Sequence, residues 1–209
     1  MKPLWIARQS RLPAGWAGEV VARVMAWDTR SANDFALAQL PVEPDHAVLE
    51  IGCGAGRTLA ELARRAADGF VAGIDPSDVM VRLATRRLRS AIGRGRAEVR
   101  RAEAAHLPFE DARFDAALTV HVLHFWPDPL VELREIRRVL RPGGALVLGF
   151  RPDDRGARRS LPRSVYHLRS VPEIEKLLAE AGFEKSRTAE KPSGAASFAC
   201  LPARATAHR

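Results

Sequence analysis

Apolar residues follow two alternating patterns along the chain, and each pattern predicts one kind of element. Short and nearly continuous apolar runs predict strands buried on both faces, whereas apolar positions three or four residues apart predict helices. The predicted strands are 46–51, 70–74, 96–101, 114–120, 144–150, 183–190 and 196–202. The predicted helices are 31–39, 56–67, 77–91, 128–140 and 171–181, together with one over the apolar positions Trp16, Val20, Val21, Val24 and Met25.

The regular alternation of strands and helices predicts the α/β fold class. Right-handed crossovers between successive strands give a mostly parallel sheet with helices on both faces. The helices of residues 1–40 come before the first strand, so we predict that they form an N-terminal helical cap. Residues 151–170 are rich in Arg, Asp, Gly and Pro and have no stable period, which predicts a mobile crossover after the fifth strand.

The composition favours one soluble domain over residues 1–209. The chain has 209 residues, of which 46% are hydrophobic, and this suits one large core. Its two cysteines, Cys53 and Cys200, are too few for a disulfide framework and have no partners at metal-ligand spacing. We therefore expect a cytoplasmic protein without a metal site. There is no signal-peptide core and no apolar run of about 18 residues, so we expect no membrane insertion.

The net charge of +8 is concentrated in two arginine-rich stretches. Residues 82–101 contain eight arginines and one acid, and residues 151–169 contain six arginines and two acids. Such stretches can attract phosphate or another anion. We favour the alternative that they are solvated helix faces, because no interleaved aromatic residues accompany them. Binding to nucleic acid is therefore possible but not favoured.

A glycine-rich loop follows the first predicted strand. Glu50, Gly52, Gly54 and Gly56 form the pattern E-x-G-x-G-x-G between a buried strand and a helix. Glycines let the backbone turn sharply and approach a ligand closely, so this loop predicts a nucleotide-cofactor site. A dinucleotide fingerprint would require a further glycine where Arg57 stands, so the spacing argues against a dehydrogenase.

With this loop, the chain resembles the class I S-adenosylmethionine-dependent methyltransferases, in the type 11 (UbiE-like) branch. Gly73–Met80 resembles the acidic end of the second strand in that family, and Ala102–Phe109 resembles the adenine loop after the third. Phe114–Asp115 resembles the opening of the fourth strand, and Arg137–Val147 the helix end, turn and fifth strand. The resemblance implies a Rossmann-like sheet of seven strands in the order 3-2-1-4-5-7-6, the last antiparallel, with S-adenosylmethionine as the cofactor.

The resemblance, which covers about residues 10–200, also implies how the chain is divided and which residues bind the cofactor. Residues 41–150 would be the cofactor-binding core, and residues 151–209 would add the crossover, a helix and the last two strands. The implied cofactor contacts are Glu50, Gly52, Gly54, Gly56, Asp75, Pro76, Met80, Glu103, Ala104, Val120 and His121.

Two of these contacts have alternative roles. Glu50 could contact the amine of the ligand or brace the loop, and Asp75 could bind the ribose hydroxyls or cap the following helix. Glu103 stands where the family often has an aspartate that hydrogen-bonds the adenine amine. Its longer side chain departs from the family pattern.

The candidate catalytic residues are two histidines that follow the fourth strand. His121 and His124 are suited to accept a proton near neutral pH, although either could be a structural residue. Aromatic residues could line an apolar acceptor pocket, with specificity residing in residues 1–40 and 151–170. These residues are Trp16, Trp27, Phe125 and Trp126, with Tyr166 and His167 as weaker candidates.

The favoured function is methyl transfer to a small-molecule acceptor at O, N or C. The alternatives are methylation of RNA or protein through the arginine-rich surface, and a non-catalytic module that binds S-adenosylmethionine. The sequence after the fourth strand reads Thr119-Val-His-Val-Leu123, without the N-P-P-Y-type tetrapeptide of many nucleic-acid methyltransferases. The oligomeric state is left open.

Overall fold

The computed structural model describes residues 3–15, 18, 29–185, 187–193 and 196–206. The helices in these ranges are α1 (Leu4–Arg11), α2 (Arg30–Gln39), α3 (Arg57–Arg65), α4 (Asp78–Gly93), α5 (Pro129–Val139), α6 (Arg155–Ser160) and α7 (Val171–Glu180), with a 3₁₀ turn at Leu123–Phe125. The strands are β1 (Ala47–Ile51), β2 (Phe70–Asp75), β3 (Ala97–Arg101), β4 (Phe114–Val120), β5 (Leu140–Phe150), β6 (Phe183–Lys185), β7 (Ala189–Ser193) and β8 (Ala196–Ala205).

The central position of β1 in the sheet explains why its residues are mostly apolar. It lies between β2 and β4 in parallel pairings, with Leu49 opposite Ala72 on one side and Ala117 on the other. Helices α3 and α4 cover one face of the sheet through Leu59 and Leu88, and helices α5 and α7 cover the other face. Because both faces are buried, no alternation of polar residues is possible within the strand.

The strand order is β3-β2-β1-β4-β5-β8-β6, with β7 also paired to β8. Strands β1 to β5 are parallel, and β8 is antiparallel to β5. The predicted α/β class, with a mostly parallel sheet between layers of helices, is confirmed. β8 occupies the place that the resemblance implied for the last, antiparallel strand.

The predicted number of seven strands is wrong, because the structure has eight strands in its described part. The single strand expected at 183–190 is divided into β6 and β7, which pair with different parts of β8. Lys185 is opposite Ala203 and Ala189 is opposite Cys200, so four positions along this edge correspond to three along β8. This shift of one residue in register interrupts the edge strand.

Two short helices were not predicted. α1 turns only two small residues, Ala7 and Ser10, towards the interior, and so has no apolar stripe. α6 lies within the predicted crossover 151–170, and its N-cap residue Asp154 makes both a local and a tertiary hydrogen bond. The Asp154 side chain accepts hydrogen bonds from the N–H of Ala157 and the N–H of Ser197, each at 2.7 Å.

The helix predicted around Trp16 to Met25 lies outside the described residues, as does Trp27. None of the helices in the described ranges has the length and apolar composition needed to cross a lipid bilayer.

Candidate functional site

A cavity of about 720 Å³ lies at the carboxyl ends of β1, β2 and β4. This volume is within the range of roughly 300–1,000 Å³ for sites that bind small molecules. The predicted site residues that line it are Glu50, Gly52, Gly54, Asp75, Pro76, Met80, Glu103, Ala104, Val120 and His121. The topology therefore brings together residues that are more than 70 positions apart in the chain.

The glycine-rich loop is held in place by the strand beside it. The N–H groups of Gly52 and Cys53 both donate to the carbonyl oxygen of Ile74 at 2.9 Å, and the N–H of Gly54 donates to Asp75 Oδ2 at 3.0 Å. Gly54 has φ +52°, and a Cβ atom built on it would meet no other atom within 4 Å. The loop is therefore formed by protein contacts alone, and the space beside Gly54 is open.

Asp75 ends β2 and connects the loop to the following helix. Its Oδ1 accepts from the N–H of Ser77 at 2.9 Å, while Oδ2 is bonded to Gly54. Burial raises the pKa of Asp75, and the two amide donors act in the opposite direction. Each carboxylate oxygen can accept a second hydrogen bond, so the carboxylate retains capacity for a ligand. The helix cap is Ser77, whose Oγ accepts from the N–H of Met80 at 3.4 Å.

Glu50 is a buried acid on the cavity wall. Its Oε2 has no hydrogen-bond partner among the described residues. Burial raises the pKa of Glu50 well above its usual value; Arg57 opposes this rise, Asp75 adds to it, and a hydrogen bond with the Leu59 backbone opposes it. A cationic ligand group next to Glu50 would stabilise the ionised carboxylate.

Gly56 is the one predicted cofactor glycine that does not line the cavity. A Cβ atom at this position would lie 2.9 Å from Ala84 Cβ and 3.0 Å from Leu88 Cδ1. Gly56 also has φ +74°, at the N-cap of α3. The glycine is therefore needed for the close approach of α3 to α4, and its role as a cofactor contact stays a prediction.

The remaining predicted contacts lie at the same carboxyl edge of the sheet, after β2 and β3 and at the end of β4. Met80 is buried in the first turn of α4, and Ala104 is buried in the loop after β3. Glu103 lies beside Ala104, but its side chain is exposed. Pro76 and Val120 complete this part of the wall.

His121 follows β4 directly and has an unusual backbone, with φ +62°. Its N–H donates to the carbonyl oxygen of Gly149 at 2.9 Å, and its ring lies 5.1 Å from the ring of Phe198. The ring atom Nε2 is shut off from solvent and has no hydrogen-bond partner in the described part of the chain. Burial, with a smaller effect of Arg151, lowers the pKa of His121 to about 4. The imidazole is therefore neutral at neutral pH.

His124 does not line the cavity, and its role as a candidate base stays a prediction. The imidazole packs 4.3 Å from the ring of Phe125 and 5.0 Å from the ring of Tyr166. Its carbonyl oxygen accepts from the N–H of His167 at 2.7 Å. Tyr166 and His167 do not line the cavity either, whereas Phe125 and Trp126 do.

Two chain segments that the motifs do not explain close the cavity on its other side. Residues 8–13, at the end of α1, and residues 164–165 both line it. The segments are joined by a cluster of apolar residues, which we call the cap cluster. It consists of Ala7, Ala157, Leu161, Val165 and Tyr166, with Phe125 and Leu168 packed against it.

The end of α1 is also fastened to the cofactor-loop side. Ser77 Oγ donates to the carbonyl oxygen of Pro13 at 2.6 Å. Thr29 and Asn33, from the segment leading into α2 and its first turn, contribute further polar lining. The expectation that residues 1–40 and 151–170 contribute to the pocket thus agrees with the described parts of both segments.

The sequence analysis missed one acidic residue of the cavity, Glu132 on α5. Its side chain is buried, and its Oε2 has no hydrogen-bond partner among the described residues. A signal was present in the sequence, because Glu132 is one helical turn before Ile136 on the stripe that predicts the buried face. An acid on such a stripe requires a special environment.

The arginine-rich stretch of residues 82–101 lies elsewhere. Arg82, Arg86 and Arg89 are exposed on α4 and do not line the cavity. Arg101 pairs with Asp78 at 3.2 Å on the surface. This placement agrees with a solvated helix face.

The known proteins that are similar to this chain include methyltransferases. A family model described as "Methyltransferase domain" matches residues 49–148. The chain is 34% identical over 176 residues to a 27-O-demethylrifamycin SV methyltransferase of Amycolatopsis mediterranei, covering 76% of this chain and 64% of that protein. It is 33% identical over 161 residues to an O-methyltransferase of Penicillium expansum, covering 74% of this chain and 58% of that one. The chain thus spans less than two thirds of the length of either relative.

A solved structure has a similar fold. It is a SAM-dependent methyltransferase from Aquifex aeolicus, which superimposes with a TM-score of 0.68 and 24% identity, covering 84% of this chain and 92% of that one. At this level of identity the likeness concerns the fold alone.

Proposed function

We propose, from the premise that this chain belongs to the class I S-adenosylmethionine-dependent methyltransferases of the type 11 family, that it methylates a small-molecule acceptor at an oxygen atom. The observation that carries the proposal is that one cavity joins a wall of glycine backbone and carboxylates to a wall of aromatic and cap residues. The O-methyltransferase of Penicillium expansum and the 27-O-demethylrifamycin SV methyltransferase of Amycolatopsis mediterranei support oxygen as the nucleophile.

The residues of the first wall fit the family's cofactor, S-adenosylmethionine. The cofactor carries a cationic sulfonium and an ammonium group, and Glu50 offers a buried carboxyl oxygen that has no partner among the described residues. The open space beside Gly54 admits a ligand against the backbone, and a side chain there would fill it. When bound, S-adenosylmethionine supplies a methyl group that its positive sulfur has already activated.

We assign the cofactor-holding roles as follows. Glu50 pairs with the cationic part, Gly52 and Gly54 let the methionine part lie on the backbone, and Asp75 accepts hydrogen bonds from the ribose. Asp75 performs this role while it braces Gly54 and Ser77, because its two oxygens have four acceptor positions. Met80 and Ala104 are buried apolar residues that suit the flat face of a purine.

The acceptor would lie between the first wall and the cap cluster. Phe125, Trp126 and Val165 give that side an apolar surface, which excludes water and orients the acceptor. His121 lies where the two parts of the cavity meet. Because Nε2 is shut off from solvent, a proton from the acceptor would have to reach Nδ1.

His121 would be a weak base in this position. With a pKa of about 4, the imidazole is neutral at neutral pH and can accept a hydrogen bond, but only a small fraction of it is protonated at any time. We therefore expect His121→Asn to lower kcat by about 10- to 100-fold, at the low end of general-base effects or below it. If His121→Asn and the wild type have the same kcat throughout pH 6–9, His121 is not part of the reaction.

The test of the overall function is a labelling experiment. The protein is incubated with methyl-labelled S-adenosylmethionine and a fractionated extract, and the label is followed into small molecules, RNA and protein. We expect label in small molecules and its loss in the Gly54→Val variant. Label confined to RNA or protein would contradict the proposal. Binding without any transfer would favour a non-catalytic module.

A further inference from the structure

Glu132 is a buried acid in the cavity that the proposed function has not used. It lies in the first turns of α5, only 7% exposed. The helix buries Leu133 and Ile136 beside it, so the acid lies on the apolar face. A buried carboxyl oxygen without a hydrogen-bond partner destabilises the folded protein. Such an arrangement in a cavity wall indicates that a ligand supplies the missing donor.

The neighbours of α5 show which part of the cavity Glu132 faces. One turn further along the helix, the Glu135 side chain accepts from the N–H of Leu107 at 2.9 Å. In the next turn, Arg138 donates to the carbonyl oxygens of Leu107, at 3.0 Å, and Phe109, at 2.8 Å. The loop after β3 therefore runs alongside the helix.

Glu132 lies one turn nearer the start of α5, on the side of this loop that leads back to β3. Glu103, Ala104 and Glu132 all line the cavity. Burial is the main cause that raises the pKa of Glu132, and Asp128 and Glu103 add to it through their charges. The two acids are therefore near each other at the same end of the site.

Glu132 and Glu103 differ in their surroundings. The Glu103 side chain is exposed and can keep its water, whereas Glu132 is removed from water. A hydrogen bond from a ligand stabilises the complex more when the acceptor would otherwise be buried and unsatisfied. Glu132 is therefore the stronger candidate for a specific contact, although the family resemblance points to Glu103.

We propose that Glu132, and not Glu103, accepts the hydrogen bond from the exocyclic amine of the adenine ring and so determines which purine base is bound. The inference rests on the proposed function in taking S-adenosylmethionine as the cofactor. An ionised carboxylate only accepts hydrogen bonds. It is matched to the amine of adenine and mismatched to the carbonyl oxygen that hypoxanthine has in its place.

The test compares S-adenosylhomocysteine with S-inosylhomocysteine, in which a carbonyl oxygen replaces the amine and the neighbouring ring atom N1 carries a hydrogen; this second change is the same for every variant. The affinities of the two ligands for the wild type, Glu132→Gln and Glu103→Gln are measured by calorimetry at pH 8. A glutamine amide can either accept from an amine or donate to a carbonyl, so Glu132→Gln should bind the two ligands more equally. We expect the ratio of the two affinities to fall at least tenfold in Glu132→Gln, and to change less than twofold in Glu103→Gln.

A second variant separates recognition from folding. Glu132→Met keeps the length of the side chain and removes the carboxyl group. This variant should bind S-adenosylhomocysteine about tenfold more weakly than the wild type does and bind S-inosylhomocysteine with nearly the same affinity. Its thermal midpoint should not be below that of the wild type, because no unsatisfied acid remains. A uniform loss for both ligands would contradict the proposal.

Other outcomes also decide the question. A ratio that falls in Glu103→Gln and stays constant in Glu132→Gln would assign the adenine amine to Glu103. A ratio unchanged in all variants, with a raised KM for the acceptor in Glu132→Gln, would place Glu132 in the acceptor pocket. If the wild type bound neither ligand, the cofactor assignment itself would fail. If it discriminated as expected but transferred no methyl group, only the proposed activity would fail.

Discussion

The two walls of the cavity are built in different ways. The wall that contains Gly52–Gly54 and Asp75 comes from adjacent parallel strands. It is fixed by two backbone hydrogen bonds of 2.9 Å to the carbonyl oxygen of Ile74 and by one of 3.0 Å from the Gly54 N–H to the Asp75 carboxylate. The opposite wall comes from α1 and residues 164–165, which are far apart in the chain and are joined by the small cap cluster. One wall depends on backbone geometry, and the other depends on the fit of a few side chains.

This difference explains how a methyltransferase can keep its cofactor and change its acceptor. Backbone hydrogen bonds are insensitive to most side-chain replacements, so the first wall retains its shape while neighbouring residues vary. The second wall consists of side chains in contact, so the loss of even one methyl group leaves a cavity and weakens the packing. We therefore expect substitutions in the two walls to separate cofactor binding from acceptor binding.

The largest effect is expected at Gly54. In Gly54→Val, a branched side chain would enter the open space of the first wall, and S-adenosylmethionine affinity should fall more than about 100-fold, or 2.7 kcal/mol. The matched control is Gly95→Val, because Gly95 also has positive φ and open space but does not line the cavity. Both variants should lose similar stability in thermal unfolding. Retained affinity in Gly54→Val, measured by calorimetry, would remove Gly54 from the site.

The next effect concerns Asp75. Asp75→Ala should make the free energy of S-adenosylmethionine binding less favourable by about 1.5–3 kcal/mol, the range for hydrogen bonds to a charged group. Acceptor affinity should change little. An S-adenosylmethionine analogue without both ribose hydroxyls should bind the wild type and the variant almost equally. If it discriminates between them as strongly as the natural cofactor does, then Asp75 acts only by bracing Gly54 and Ser77.

A third prediction concerns His121, where the two walls meet, and its effect on how stability changes with pH. His121 has a pKa of about 4 in the folded protein, below the ordinary value of 6.5. The unfolded chain therefore binds more protons between these values, and this residue makes the fold less stable as pH falls from 6.5 towards 4. Asparagine tolerates positive φ and does not titrate in this range, so His121→Asn is the suitable variant.

Relative to the wild type, His121→Asn should become more stable by about 2 kcal/mol when the pH is lowered from 7.5 to 5. The free energy of unfolding is measured in urea at both pH values. Comparing the variant with the wild type cancels the titration of Glu50, Asp75 and Glu132, which is common to both proteins. An equal stability difference at the two pH values would mean that the His121 pKa is not lowered.

The smallest effect is expected in the second wall. Val165→Ala should raise the KM for the acceptor about tenfold, or 1.4 kcal/mol, and leave S-adenosylmethionine affinity within twofold. Leu161→Ala is the control, because Leu161 belongs to the cap cluster but does not line the cavity. It should lower stability without a matching change in KM at temperatures where the protein remains folded. A large loss of cofactor affinity in Val165→Ala would show that the two walls cannot be separated.

The same contrast determines how much could be predicted from the sequence. The strand and loop of Val48–Gly56 were predicted correctly because burial on both faces and the glycine spacing are local signals. The helix Arg155–Ser160 was missed because it is short and has no apolar stripe, and because its cap residue Asp154 is also held by Ser197 on β8, which the sequence pattern does not show. The interruption between Lys185 and Ala189 is likewise set by pairing with β8, and leaves no mark in the hydrophobic pattern.

Within the site, motif position and actual placement differ for some residues. Gly56 belongs to the glycine pattern but packs against Ala84, and His124 follows the strand closely but turns into an aromatic cluster. Glu132 belongs to no motif, and it could be found only by asking why an acid occupies a buried stripe. The roles of the lining residues and the treatment of residues 1–209 as one domain stay predictions.

The hydrogen bond from Ser77 Oγ to Pro13 has a consequence for which parts of this protein can be changed. Ser77 contacts a backbone carbonyl oxygen, which every amino acid possesses. Residues of the N-terminal segment can therefore be replaced without removing the acceptor of this bond, which attaches the segment to the start of α4. Laboratory evolution of new acceptors can begin with random libraries in residues 8–12, provided that Ser77 is kept.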